Sequence, residues 1–317
     1  MEIIPTRAKF YGDGGKYFSI LLVNALLIIL TLGIYYPWAR AKTLQYLYGE
    51  TEFAGSRFAF HGTGKEMFRG FIKAVIIIVA LLIINAVFQV GHNPGMVFIG
   101  ALIYMLGILL IIPLAIHGSL RYRMSRTTWR GINLGYRGNL RELLGIYFKG
   151  IFLTIITLGI YGSWFSVNMR KYVTDHVRLG NVKLNFKGTG SDLFLVNLSG
   201  IFLSIITLGI YTFWWVRNLN HFHINNMSLE QDGQEFQFNS QLGAGDIFVV
   251  GITNYFLILF TLGIGTPWAL LRNMRMVIDN VELQGAFNAE TVVQTEDIYT
   301  DATGDDLLSM LDIGLDF

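Results

Sequence analysis

Two histidines, His221 and His223 in "NHFHINN", stand two residues apart, so a strand would place both on one face, where their imidazoles could share a metal ion. Two nitrogens without a third ligand are weak support for a metal site, and the stretch reads more simply as the polar end of a juxtamembrane helix. The chain has no cysteine, which removes thiolate ligands and disulfides together. No Ser–His–acid set and no pair of carboxylates stands in a recognisable catalytic context. "HGTGK" at 61–65 carries glycines and a lysine but lacks the G-x-x-x-x-G-K-S/T spacing of a phosphate-binding loop. It reads as a tight turn before a helix, with Ser191, Asp192 and Asp246 as caps after the equivalent turns. The sequence therefore predicts no enzyme, no cofactor and no metal.

The remaining candidates are polar groups inside apolar runs, which in a bilayer are the usual marks of function. They are Asn24, Asn85, Lys149, Asn197 and Asn254, with His117 near the end of a run. Lys149 comes early in its run and can snorkel to the interface. The asparagines can bond between helices or line a substrate path. No run contains Asp or Glu, which argues against a carboxylate proton relay.

The elements that must position these groups follow from composition and repetition. The 317 residues are 53% hydrophobic and 15% charged, where a soluble domain carries about a quarter charged. A net charge of +2 without a basic block excludes a nucleic-acid partner. Apolar runs cover 17–38, 71–90, 96–116, 143–165, 193–215 and 247–268, each near the ~20 residues that cross a bilayer. The first is too long for a removed leader and lacks a small-residue cleavage site, so it reads as an uncleaved span.

Four runs share a phrase: "TLGIYYPWAR" from Thr31, "TLGIYGSWFS" from Thr157, "TLGIYTFWWV" from Thr207 and "TLGIGTPWAL" from Thr261. Its repeated positions are Thr31, Gly33 and Trp38; Thr157, Gly159 and Trp164; Thr207, Gly209 and Trp214; and Thr261, Gly263 and Trp268. Glycine permits close helix approach, threonine bonds back one turn and bends a helix, and Trp with nearby cations marks a membrane boundary. Each run follows an aromatic, glycine-rich lead-in such as "FYGDGGKYF" or "FKGTGSDLF". After the Trp come a polar helix and two short alternating segments, "VRLGNVKLNF" or "VIDNVELQG", that read as a hairpin. The expected units are about 10–59, 60–135, 136–185, 186–237 and 238–288, forming one membrane domain at 1–288. The second unit differs, holding two runs joined by "GHNPG". Seven residues before the Thr stand Asn24, Gly150, Gly200 and Asn254, so the outer units match each other and the inner units match each other.

The TLGIY-x-x-W phrases alternating with F-x-F-x-G-T-G-like lead-ins resemble the YjgN-like family of bacterial inner-membrane proteins of unknown function, over nearly the whole chain from Phe10 to Phe287. The resemblance implies a multi-pass inner-membrane location and brings no catalytic or ligand residues.

The expected fold is thus a mainly α multi-pass membrane protein of about five internal repeats, with short β-hairpins at the membrane surface. Six alternating spans divide Lys and Arg ten against twelve, which does not orient the chain. The other arrangement gathers the hairpins on one side, with the TLGIY segments re-entering and only the second unit crossing; six spans is the preferred expectation. Residues 289–317, with eight acidic residues and no Lys or Arg, are expected to form a flexible tail whose Leu307, Leu308, Leu311 and Leu315 recur at helical spacing. The expected function is transport or a channel-like path near Asn24 and Asn254. The alternative is a scaffold that binds lipid or partners. The expected partners are the lipid bilayer, a second copy of the chain, and a protein held by the acidic tail.

Overall fold

The computed structural model describes residues 6–90, 93–296 and 298–311. Strand β1 (Thr6–Phe10) leads into helices α1 (Gly14–Leu30) and α2 (Tyr36–Gly49), and the chain returns as β2 (Thr51–Phe53). The same order follows in β3 (Ser56–Phe60), α3 (Gly64–Gln89), α4 (Pro94–Ser125) and β4 (Thr127–Trp129), then in β5 (Ile132–Tyr136), α5 (Leu140–Ile156), α6 (Gly162–Asp175) and β6 (Val177–Leu179). It continues in β7 (Val182–Phe186), α7 (Gly190–Ile206), α8 (Thr212–Asn225) and β8 (Met227–Gln231), and in β9 (Gln234–Ser240), α9 (Ala244–Phe260), α10 (Thr266–Ile278) and β10 (Val281–Leu283). A last helix, α11, spans Thr303–Met310.

The strands form one closed antiparallel barrel in which every strand pairs with its chain neighbours and β10 pairs with β1. Alternation puts apolar side chains inside: Phe53, Trp129, Val182, Leu229, Phe236 and Leu283 are all buried in one cluster, so the barrel is filled rather than open. Phe287, beyond β10, closes the rim away from the helices, its ring 5.9 Å from Phe53 and 6.0 Å from Phe236. Three hairpin turns place both central residues at positive φ, at Ala54–Gly55, Arg130–Gly131 and Asp232–Gly233, the turn whose twist suits paired strands. At the β1–β10 seam Arg7 pairs with Glu282, Asp279 accepts from the Phe10 N–H at 2.7 Å, and Arg275 donates to the Gly12 carbonyl at 2.8 Å.

This architecture corrects the mainly α-helical expectation and its six spans. The strands flanking each helix pair are themselves paired, so each excursion starts and ends at one place. Five equivalent backbone bonds pin it there: Tyr11 N–H to Glu50 O, His61 to Arg126, Arg137 to His176, Lys187 to Asn226 and Gln241 to Asn280, all 2.7–2.9 Å. A chain that returns to its starting rim cannot cross a membrane once. Among the described residues two helices, α3 and α4, are long and apolar enough to cross, and only 6% and 17% of their apolar windows are buried, unlike core helices of a soluble protein. The run at 17–38, like those at 143–165, 193–215 and 247–268, is instead folded back on itself at its glycine. Of the segments read as hairpins, "VRLGNVKLNF" is β6–β7, but in "VIDNVELQG" the first half ends α10 and only β10 is a strand.

The glycine-rich lead-ins are packing seats. A methyl group on Gly64 would lie 2.2 Å from the Trp38 ring, on Gly190 2.3 Å from Trp164, and on Gly14 2.0 Å from Trp268. At these three junctions the Trp of one helix pair rests on the first turn of the next, and Trp268 on Gly14 joins the last pair to the first. Where the lead-in carries Ala244 instead, Trp214 is exposed. Caps come from the lead-in itself: Asp13, Thr63, Asn139 and Thr189 each accept from a first-turn N–H. Asp192 and Asp246 bond back to Thr189 and Gly243, while Ser191 shows no cap bond. Gly64→Ala and Gly190→Ala are each expected to lower stability by about 1–3 kcal/mol, as overpacking does, whereas Ala244→Gly, where no Trp is seated, is expected to cost no more than the helix propensity of about 1 kcal/mol; thermal unfolding in detergent compares them.

Candidate functional site

The four TLGI phrases build four identical helical-hairpin tips. The threonine hydroxyl donates to the carbonyl four residues back at 2.6–2.7 Å and accepts from the N–H four residues on at 2.7–3.0 Å, so one side chain joins the outgoing and returning helices. The glycine N–H reaches the carbonyl five residues back, Gly33 to Ile28 at 2.8 Å, the bond pattern that ends a helix through a left-handed residue. That residue is normally glycine. Here it is leucine: Leu32, Leu158, Leu208 and Leu262 stand at φ +50°, +49°, +50° and +51°. Left-handed geometry costs a side-chain-bearing residue about 1–2 kcal/mol, and these four are 93–94% exposed. Ile34, Ile160, Ile210 and Ile264 are exposed beside them.

The matched outer and inner units have a local cause. Asn24 donates to the Ala39 carbonyl and Asn254 to the Ala269 carbonyl, both at 3.2 Å, across their own hairpins. At the same position Gly150 receives the Phe165 ring and Gly200 the Trp215 ring, again fifteen residues on. Asparagine with alanine, and glycine with an aromatic ring, are two fillings of one crossing point. The structure therefore brings Asn24 to Ala39 and Asn254 to Ala269, not the two asparagines to a common centre. Their Oδ1 atoms are buried without a donor among the described residues.

The other candidates scatter. Asn85 is half-buried on α3. Lys149 is exposed and lines a cleft of about 330 Å³ with Glu142 and Asp175. Asn197 accepts from Trp215 Nε1 at 3.2 Å. His221 donates through Nε2 to the Leu242 carbonyl at 2.8 Å, and burial together with Arg170 pushes His223 down to about 4. Among the described residues no three metal-ligating side chains gather.

A charged centre lies where α11 meets the helices, and sequence reasoning did not assemble it. Residues expected as a flexible tail are packed through Leu311: the Ser125 hydroxyl donates to the Tyr299 carbonyl at 2.7 Å, Arg137 pairs with Glu296 at 2.6 Å, and Leu307 and Leu308 are buried among Ala74, Ile111 and Ala115. Leu315 lies outside the described residues, as do residues 91 and 92 of "GHNPG". Gly304 rests against Gly118 and Ser119. Asp305, fully buried, accepts from Arg40 Nε at 3.0 Å and Nη2 at 3.4 Å, from Ser119 Oγ at 2.7 Å, and from Arg123 Nε. Burial alone would raise its carboxyl, but the Arg123 and Arg40 guanidiniums hold it below the usual carboxylate range. Asp306 beside it is also fully buried, lies against Gly70, and neither oxygen has a donor among the described residues. Burial, then the neighbouring Asp305 and Asp301 charges, opposed by Arg40, push it up to about 8. The acidic pair was visible in "GDDLLSM", but its arginine partners are 182 and 265 residues away.

A family profile described as "Bacterial protein of unknown function (DUF898)" matches residues 5–186, 181–237 and 217–310. The inner membrane protein YjgN of Salmonella typhimurium is 30% identical over 171 residues, 50% of this chain and 41% of that protein. Inner membrane protein YjgN of Escherichia coli (strain K12) is 31% identical over 170 residues, 54% of this chain and 40% of that protein. The matched region thus spans less than half the length of these curated relatives. No solved structure matches.

Two outcomes follow from this geometry. Gly150→Asn alone is expected to destabilise the α5–α6 hairpin and Phe165→Ala to restore it, a coupling that a double-mutant cycle measures. For the tail, an undocked Asp306 carboxyl titrates near 3.8 and the docked one near 8. Docking must therefore hold a proton that the free segment gives up. The Asp306 contribution is full near pH 4, weakens by up to about 1.4 kcal/mol per pH unit between the two values and levels off above about pH 8, whereas protonation of Asp305, held low by Arg123 and Arg40, opposes docking at pH below 4. Labelling of a Leu308→Cys reporter, taken relative to an exposed control cysteine at each pH, should quicken across that window, and Asp306→Asn should abolish this relative dependence and slow labelling at neutral pH.

Proposed function

The chain belongs to this bacterial family of unknown function, and we propose that it is an inner-membrane scaffold and lipid-binding protein, held by one crossing helix pair and by four helical hairpins embedded in a single leaflet. The observation that carries this reading is the leucine at each tip. A residue that is strained by its backbone and almost wholly exposed contributes nothing to the fold; in a lipid leaflet its exposure becomes burial.

Dimensions support it. After the tip glycine the first cation comes seven residues later at Arg40, eleven at Arg170, eight at Arg217 and nine at Arg272, which is about 10–17 Å of helix. Half of a bilayer's hydrocarbon core is about 15 Å. Helices α3 and α4, 26 and 32 residues long, extend about 39 and 48 Å, enough to cross. Gly100 and Gly107 of α4 let it close on Phe88 and Leu81 of α3. Lysines and arginines concentrate on the barrel and the helix segments nearest it, and the sequence between Lys73 and Arg121 includes none, so the positive-inside rule puts the barrel in the cytoplasm. The relatives' description as inner membrane proteins supports an inner-membrane location. A path between Asn24 and Asn254 draws no support from the geometry, since each is engaged within its own hairpin.

The chain's lack of cysteine makes the test direct. Single cysteines at Leu32, Leu158, Leu208 and Leu262, labelled with an environment-sensitive fluorophore in proteoliposomes, are expected to emit as in hydrocarbon and to be quenched by nitroxide lipids of the barrel-side leaflet. An impermeant thiol reagent should reach Gln234→Cys from that side and Met96→Cys only from the other. Water-like emission at the tips, or tip labelling from the side of Met96, sinks the proposal.

A further inference from the structure

We propose that Arg40, Arg123 and Ser119 form a binding site for a net-anionic phosphate group, which Asp305 of α11 occupies as an internal surrogate. Two guanidiniums and a hydroxyl from α2 and α4 converge on one buried carboxylate, with the Arg40 fork reaching both of its oxygens. Such a donor set is built for a charged oxyanion and is matched at least as well by phosphate, which offers more acceptor oxygens.

The present occupant is a poor fixture. It enters on an eight-residue helix and buries Asp306 against Gly70, where neither oxygen meets a donor among the described residues. Burying a carboxyl this way is unfavourable, so the surrogate is held by the Arg40 and Arg123 contacts and by Leu307 and Leu308 against that cost. A helix retained for stability alone would be better served by an apolar residue at position 306.

Beside the arginines opens a cleft of about 500 Å³, lined by Leu21, Ala25, Ile28 and Leu44 together with Arg40 and Arg123. Apolar side chains beside two guanidiniums suit an acyl chain and its headgroup phosphate. Lipid and free ion share the phosphate chemistry. The inference rests on the leaflet-embedded reading only for the lipid as source.

The experiment uses the full chain carrying Leu308→Cys, whose side chain is buried while α11 is docked. Labelling is compared in nanodiscs of phosphatidylcholine and of phosphatidylcholine with one quarter phosphatidylglycerol. It is also compared in neutral detergent with inorganic phosphate against chloride at equal ionic strength. The expected result is a rate at least fivefold higher with phosphatidylglycerol. A rise with inorganic phosphate alone assigns the site to the free ion and leaves the leaflet reading to its own fluorescence test. Because substitution of the arginines will itself release the tail, specificity is read by native mass spectrometry in an Asp305→Asn background. One phosphatidylglycerol should be retained there and lost on adding Arg40→Gln and Arg123→Gln. No rise with either phosphate source, or retention that survives loss of both arginines, overturns the site.

Discussion

Everything in this molecule depends on the pairing of β1 with β10. That seam is short, Thr6 with Leu283 and Arg7 with Glu282, yet it leaves the sheet without an edge. Closure also fixes direction. With every neighbour antiparallel, the five places where the chain leaves for a helix pair and the five where it comes back all fall on one rim. The helices are consequently excursions, bound to make two crossings or none.

The helical layer then has to solve a circular packing problem on that rim. Two Trp-on-Gly seats, Trp38 on Gly64 and Trp164 on Gly190, solve it between consecutive pairs, and a third, Trp268 on Gly14, carries the solution across the same seam that closes the sheet. Within each short hairpin the crossing point is filled either by an asparagine bonded to a backbone carbonyl or by a glycine under an aromatic ring. The long pair α3–α4 has no Trp to offer α5, whose lead-in carries Leu140 at the position of the seat glycine. The space on that side is where α11 packs, its Leu307 and Leu308 sharing a buried cluster with Leu143 and Tyr147 of α5.

Much of this was legible in local sequence, and the limit of legibility is instructive. Thr, Gly and Trp at fixed spacing announced a place where a helix bends and packs, and "VRLGNVKLNF" announced its hairpin, because both are settled by residues within ten of each other. Whether the chain at Gly33 bends or reverses was not legible, since 22 apolar residues serve equally as one span or as a folded pair. The decision belongs to strands that lie outside the run. Asn24 and Asn254 looked alike because they do the same job in two hairpins, which is different from doing one job together. Arg40 and Asp305 each read as ordinary charges, and only the tertiary fold brings them into contact.

The seam has a consequence in time. Residue 281 is made long after residue 6, so during synthesis the first strand waits with one side unpaired while the helix pairs between them are made. An open strand edge is adhesive, and a sheet that closes late is exposed for longest. Arg7 and Lys9 on that first strand are exposed charges of the kind that discourage a wrong neighbour at an open edge, and in the finished barrel Glu282 answers Arg7.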